Sequence, residues 1–361
     1  MSIDLAIIAK SLAALGFPRN QPAGAVVGVR VNGEVAVAAS GWAVLPEEHS
    51  PARPMTVDTV LDLASVTKIA STTALAMQLA GDGRLDLDEP VRDDGVTVRD
   101  LLAHTSGMPP WSPLYCATTE RGEALELASA TALVAEPGTA WSYSDLGMIA
   151  LGGVLESVTG QRQDDLFAHL VARPLGLGTA AYGPVDPATA AASSDGDAVE
   201  REMVRAGEPY PTPFTVGDFD GWRSEPTIGI VNDGNAAHAL GGVAGHAGLF
   251  ASVPDLLRLG AWLTDRAVHG DVLDEFARPL DIAPDRALGF RLATWRVGDV
   301  DVPMVLHPGF TGTVLASALD RELVVAAAAT RLHGRKTPVP VADVVRAALD
   351  GVAAAIVEGR A

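Results

Sequence analysis

The chain holds a single cysteine, Cys116, in 361 residues. That excludes an intramolecular disulfide and a cysteine-built zinc or iron–sulfur site. Nothing basic lies beside Cys116 in sequence, so it reads as an inert small side chain rather than a nucleophile. Positive charge is also scarce: 26 Lys+Arg stand against 45 Asp+Glu, a formal net charge of −19. The field of such a chain repels nucleic acid and anionic membrane surfaces, which argues against both as partners. No apolar run approaches the roughly 20 residues that span a bilayer. Met1 to Lys10 lacks a basic start, and Asp4 interrupts its apolar run. It reads as the start of an amphipathic helix, so the expected location is cytoplasmic, or secreted if a signal has been removed.

What the chain does have is apolar mass, 48 % of residues, which is enough for a sizeable core and excludes disorder as the main state. Helical spacing over residues 3–15 precedes two β-like runs, Gly24 to Val31 and Glu34 to Ala39. Asn32-Gly33 between them is a hairpin signal. A Pro-rich loop then leads to a helical stretch, Val66 to Ala80, which stops at Gly81-Asp82-Gly83. Four further helices are expected, at Val98 to His104, Glu120 to Ala135, Leu146 to Val158 and Gln163 to Ala172. Residues 181–235 are rich in Pro, Gly and Asp and read as an ordered excursion near a functional surface. A helix at Pro254 to Thr264, strand runs at Leu288 to Val297, Val300 to Leu306, Thr313 to Ala318 and Leu323 to Ala329, and a helix at Val341 to Val357 close the chain. This order predicts an α/β (α+β) architecture: an antiparallel sheet flanked by terminal helices, interrupted by an all-helical insertion. The expected division is 1–60 plus 240–361 for the sheet domain and 61–239 for the insertion.

Lysine occurs only three times, at positions 10, 68 and 336. Lysine can release its proton when its surroundings lower its pKa, whereas arginine cannot. Lys68 stands in Ser65-Val66-Thr67-Lys68 at a helix start. Positions i and i+3 share a helix face, so Ser65 Oγ and Lys68 Nζ can meet above the first turn. The electropositive helix start favours an alkoxide-like serine, and a serine needs such activation. Taken alone, the four residues are better described as an N-cap serine followed by a surface lysine. Tyr143-Ser144-Asp145 precedes the helix from Leu146. Its phenol can shuttle a proton beside an ammonium, and Asp145 can cap the helix. His307-Pro308-Gly309-Phe310 follows a strand run, where a free N–H can face an oxyanion or the glycine can simply make a turn.

In this order the three segments resemble the serine β-lactamase and penicillin-binding-protein superfamily, whose pattern is Ser-x-x-Lys, Tyr-x-Asn and a Lys- or His-led triplet ending in Gly. Leu101 to Gly107 (LLAHTSG), Glu136-Pro137-Gly138 and Gly241 to Phe250 (GGVAGHAGLF) add to the resemblance. The last of these looks like the class C-like branch near penicillin-binding protein 4B and the family VIII esterases. The resemblance implies a site between sheet and helices, with no metal or organic cofactor. Ser65 would be the acylated nucleophile, and Lys68 and Tyr143 would share the acid–base work. The backbone N–H groups of Ser65 and Phe310 would form the oxyanion hole, and Asp145, His307 and Gly309 would contact substrate.

Two departures matter. Asp145 stands where Asn is usual and would keep Lys68 charged, leaving Tyr143, as a phenolate held by Lys68, to take the Ser65 proton. His307-Pro308 replaces Lys-Thr or Lys-Ser, so recognition of a substrate carboxylate is weakened unless an arginine such as Arg223 restores it. The expected function is therefore a serine hydrolase acting on a small-molecule or peptide ester or amide. The rivals are a DD-carboxypeptidase or weak β-lactamase, an acyltransferase of the same fold, and a non-hydrolytic penicillin-recognising protein. Trp222 and His238 are expected to line the pocket, Trp111 and Tyr115 to rim it, and His104 and His246 to hold loops. Oligomeric state is not legible.

Overall fold

The computed structural model describes residues 23–46, 52–334 and 338–358; the helix expected at 3–15 lies outside them. The main sheet has seven strands: β1 (Gly24–Val31), β2 (Glu34–Val44), β3 (Arg53–Pro54), β4 (Arg291–Val297), β5 (Val300–Gly309), β6 (Thr313–Ala318) and β7 (Leu323–Ala329). Their order is β3-β2-β1-β7-β6-β5-β4. Every pairing is antiparallel, with β1 beside β7 in register Ala25↔Ala329. The first hairpin turns at Asn32 and Gly33 with φ of 48° and 83°, the double positive φ that a two-residue hairpin loop needs.

The helices are α1 (Ala74–Gly81), entered through a π-helical turn at Lys68–Thr73, α2 (Val98–Ala103), α3 (Arg121–Ala130), α4 (Asp145–Thr159), α5 (Gln163–Phe167), α6 (Ala198–Ala206), α7 (Val253–Leu263), α8 (Arg266–Phe276) and α9 (Val341–Glu358). Strand alternation sorts the sheet's two faces. Ala25, Val27 and Val29 pack with Val344, Val352 and Ile356 of α9. Val26, Val324, Ala326 and Ala328 face the other way, into a core shared with α7 and the helical region. That core continues across residues 60 and 240. A Cβ on Gly28 would lie 2.7 Å from Val253 and one on Gly260 2.6 Å from Val324, so these glycines let α7 lie close on the sheet.

Three segments differ from the sequence expectation. The helix expected to reach residue 135 stops at Ala130, where Arg92 Nη2 donates to the Thr131 carbonyl at 3.0 Å. Residues 181–235 are ordered and contain short strands (Ala181–Tyr182, Ala192–Ser194, Thr227–Ile228) as well as α6. Strand β5 runs through His307-Pro308-Gly309 instead of ending at Leu306. Pro308 fits because pairing with β4 has stopped at Leu306↔Arg291, so its missing N–H leaves no gap on that side. No described helix is long and apolar enough to cross a membrane.

Candidate active site

Ser65 follows Ala64, whose φ of 45° is strained for a residue with a Cβ. The strain is held in place by neighbours. The Ala64 N–H donates to Asp62 Oδ1 at 2.8 Å, Thr311 Oγ1 donates to the Asp62 carbonyl at 2.8 Å, and Thr313 Oγ1 donates to the Leu63 carbonyl at 2.9 Å. The two threonine bonds stitch the Asp62–Ser65 loop to the turn between β5 and β6. A Cβ on Gly309 would lie 2.5 Å from the Leu63 carbonyl and 2.0 Å from Thr313 Oγ1, so only glycine allows this approach. The backbone of Phe310 is thereby brought beside that of Ser65. Among the described residues, no acceptor meets the N–H of either.

Lys68 is fully buried. Its Nζ donates to Ser65 Oγ at 2.9 Å and to the His246 carbonyl at 3.2 Å, and pairs with Asp145 Oδ1 at 2.7 Å. The Tyr143 ring lies 4.8 Å from Nζ, and its phenol interacts with both Lys68 and Ser65. Ser144, not Asp145, caps α4: its Oγ accepts the Gly147 N–H at 3.0 Å, which leaves the Asp145 carboxylate for Lys68. His104 Nδ1 accepts the Ser144 N–H at 3.1 Å and its ring stacks 4.7 Å from Tyr143, fixing the loop.

Burial opposes the Lys68 ammonium, but the Asp145 charge, with hydrogen bonds to Asp145 and Tyr143, outweighs it and raises its pKa above the ordinary lysine value. The Tyr143 phenol is also pushed up: burial and Asp145 together exceed the downward pull of Lys68. The resting site therefore holds an ammonium, a carboxylate and a neutral phenol, and the expected Lys68-stabilised phenolate is not the resting form. Burial, then the nearby Lys68 charge, push His104 and His307 down to about 3, so both rings are neutral.

Ser65 opens into a cleft of about 410 Å³ whose lining includes Trp111, Tyr143, Asp145, Tyr210, Asp233 and Phe310. Asp197 and Glu200 extend the acidic wall. Burial opposes the Asp233 charge, but His246, 2.8 Å away, outweighs it and holds the carboxyl at about 2. Glu200 is pushed up to about 8 by burial and then by Asp233. Arg223 is not free to bind substrate: Nε reaches Asp197 Oδ1 at 2.8 Å and Nη1 the Val231 carbonyl at 2.6 Å. Among the described residues no group of His, Cys, Asp and Glu is gathered to hold a metal ion.

The structure thus brings together Ser65, Lys68, Tyr143, Asp145 and Phe310. It does not bring Trp222, His238, His307 or Gly309 to the cleft. Trp222 and His238 pack around Tyr115 and Phe219 behind the wall, where His238 Nε2 meets Asp197 at 3.0 Å. Tyr115 is buried there too, so of the expected rim pair only Trp111 faces the cleft. His307 lies on the far side of Tyr143, rings 5.9 Å apart, in a separate cavity of about 170 Å³ with Trp141 and Arg286. Gly309 seats the strand against the Leu63 carbonyl. The sequence reading missed Asp233, Glu200, Asp197 and Tyr210, which reach the cleft only through tertiary packing and carry no local signal.

An antiparallel sheet covered by helices, with a Ser-x-x-Lys serine at a helix start and a tyrosine arriving from the helical region, defines the β-lactamase and transpeptidase fold class. A family model described as Beta-lactamase matches residues 10–350, and the chain belongs to that family. It is 28% identical over 302 residues to a putative D-alanyl-D-alanine carboxypeptidase of Escherichia coli (strain K12); the match covers 72% of this chain and 66% of that protein, just under two thirds. It is 29% identical over 348 residues to an N-acetylmuramyl-L-alanine amidase of Bacillus subtilis (strain 168), covering 83% of this chain and 74% of that one. The D-amino acid amidase of Ochrobactrum anthropi SV3, complexed with L-phenylalanine amide, has a similar fold with a TM-score of 0.72, 21% identity and 99% of each chain covered.

Proposed function

We propose that this chain is a serine hydrolase that opens an ester or amide through an acyl-enzyme on Ser65. The observation that carries the reading is the 2.9 Å contact from a fully buried Lys68 to Ser65 Oγ, closed on the other side by Tyr143. The Lys68–Tyr143 pair first releases one proton and then takes the hydroxyl proton of Ser65 as Oγ attacks the carbonyl carbon. Which heteroatom keeps the remaining proton is a property of the pair. The developing oxyanion is received by the N–H groups of Ser65 and Phe310, where each donor typically contributes a factor on the order of 10²–10³. The pair returns the proton to the leaving group, and water repeats the sequence in reverse to free Ser65.

Lys68 and Arg223 are both engaged by carboxylates and Asp233 stays ionised in the lining, which favours substrates without an essential carboxylate. The names of the relatives support a second reading, hydrolysis of a D-alanyl-D-alanine or muramyl amide. Intact-mass spectrometry with a nitrophenyl ester, a nitrophenyl hemiester bearing a carboxylate, a fluorescent penicillin and a D-Ala-D-Ala peptide separates them. We expect rapid turnover of the neutral ester with an acyl mass trapped on Ser65, and kcat/KM at least about tenfold lower for the anionic hemiester. Penicillin labelling without ester turnover would transfer the chain to the peptidase reading. An absence of any adduct would leave a binding protein.

Asp145 sets the pH range of this chemistry. Its carboxylate favours the ammonium of Lys68 and disfavours the phenolate of Tyr143, so it raises the pKa of whichever group acts as base. The unprotonated base is populated as pH rises through that pKa. In Asp145→Asn the acidic limb of kcat/KM should therefore move to lower pH, by about one to two units. A limb that stays in place on a pH–rate profile would disconnect Asp145 from the base.

A further inference from the structure

Arg331 is buried, and no carboxylate pairs with it among the described residues. Its guanidinium instead spends itself on backbone. Nη1 donates to the Phe310 carbonyl and Nε to the Val339 carbonyl, each at 2.5 Å, while the guanidinium carbon lies 5.0 Å from the centre of the Phe310 ring. Burial alone brings its pKa down to about 10, so the cation persists at neutral pH. A buried cation costs stability unless it is compensated, and two carbonyls and a ring face are the compensation here.

The geometry points to Arg331 as a positioning residue for the oxyanion hole, acting through Phe310; this rests on the hydrolase reading above. Phe310 is tied on its N-terminal side by the β5–β6 pairing Gly309↔Thr313. The residue is 42% exposed, so its side chain contributes little anchoring to the core. On its C-terminal side the carbonyl is held by Arg331, and the next residue by Thr311 Oγ1 on Asp62. Arg331 thus fixes the residue whose N–H faces the oxyanion, and it places a cation directly behind it. Both effects act on the charge that develops in the transition state and hardly at all on the neutral carbonyl of bound substrate. Lysine at this position keeps the charge but loses the fork that grips two carbonyls at once.

The experiment compares wild type, Arg331→Lys and Arg331→Met on a nitrophenyl ester and against an alkyl boronic acid, which forms a tetrahedral anionic adduct on serine. For Arg331→Met we expect kcat to fall by about ten- to a hundredfold with KM within about twofold, and boronate affinity to weaken in proportion. Arg331→Lys should recover part of both. If the methionine variant does not fold, the lysine variant alone must show the same split. A rise in KM at unchanged kcat, or loss of thermal stability with kcat and boronate affinity intact, overturns the positioning role. If wild type turns over the ester and both variants match it, this inference falls while the hydrolase reading stands. If wild type forms no acyl or boronate adduct at all, both fall together.

Discussion

Ser65→Ala protein should fold and melt like wild type, yet lose ester turnover by about 10⁴-fold or more and form no acyl adduct. The stability expectation follows from what the hydroxyl touches. Ser65 Oγ accepts one hydrogen bond from Lys68, worth about 1 kcal/mol, and Lys68 keeps the His246 carbonyl and Asp145 when it is gone. The activity expectation follows from covalent catalysis: with no Oγ there is no atom to acylate. Residual turnover above water would report the two N–H donors and binding alone. The measurement is kcat/KM on a nitrophenyl ester with intact mass and a thermal melt on the same sample. Wild-type turnover in this variant would remove the acyl-enzyme from the argument.

Lys68→Met is expected to be inactive and also unstable, and the two losses can be separated. Methionine replaces the buried stem with similar volume, so packing is largely kept. The Asp145 carboxylate, however, loses the ammonium 2.7 Å away. Breaking a buried ion pair on one side costs about 3–5 kcal/mol. The Asp145 side chain is 20% exposed, so water recovers part of that and the lower end is expected. Lys68→Met/Asp145→Asn removes the stranded charge and should regain most of the stability, seen as a return of the urea midpoint. Both variants should lose a factor on the order of 10²–10⁴ in kcat/KM, the usual contribution of a positioned acid–base group. A single variant as stable as wild type would mean that the pair is not a buried ion pair. A double variant that regains turnover would mean that Lys68 is not part of the base.

The legibility of this chain divides by the range of the physics. Asn32-Gly33 announced its hairpin because positive φ at two successive residues is a local demand. The strands of the final meander are readable because short apolar runs bounded by turn residues are a local signal too. The helix at Ala198–Ala206 was hidden by flanking Gly, Pro and Asp, and only Val204 on it is buried, so its apolar signal is thin. Trp222 and His238 were placed at the pocket because they fall in an irregular segment. Their rings instead fill the space behind the cleft wall with Tyr115 and Phe219. His307 was read as a substrate contact from its place in a triplet, yet a strand turns alternate residues to opposite faces and His307 falls behind Tyr143.

By itself the sequence put Ser65 and Lys68 within reach of one another, since three residues along one helix start is a distance set by backbone geometry alone. It also put a carboxylate, Asp145, where the resemblance has Asn, and, through Pro308, removed one triplet function. Tertiary structure decided the rest. It buried Lys68 under the His246 carbonyl, 178 residues further along the chain, and left Tyr143 a neutral phenol. It lined the cleft with Asp197, Glu200 and Asp233 and fastened Phe310 to Arg331. The reason is that burial and the Coulomb interaction act through space. No spacing rule along a chain reports which distant groups will share a low-dielectric pocket once the sheet closes over the helices.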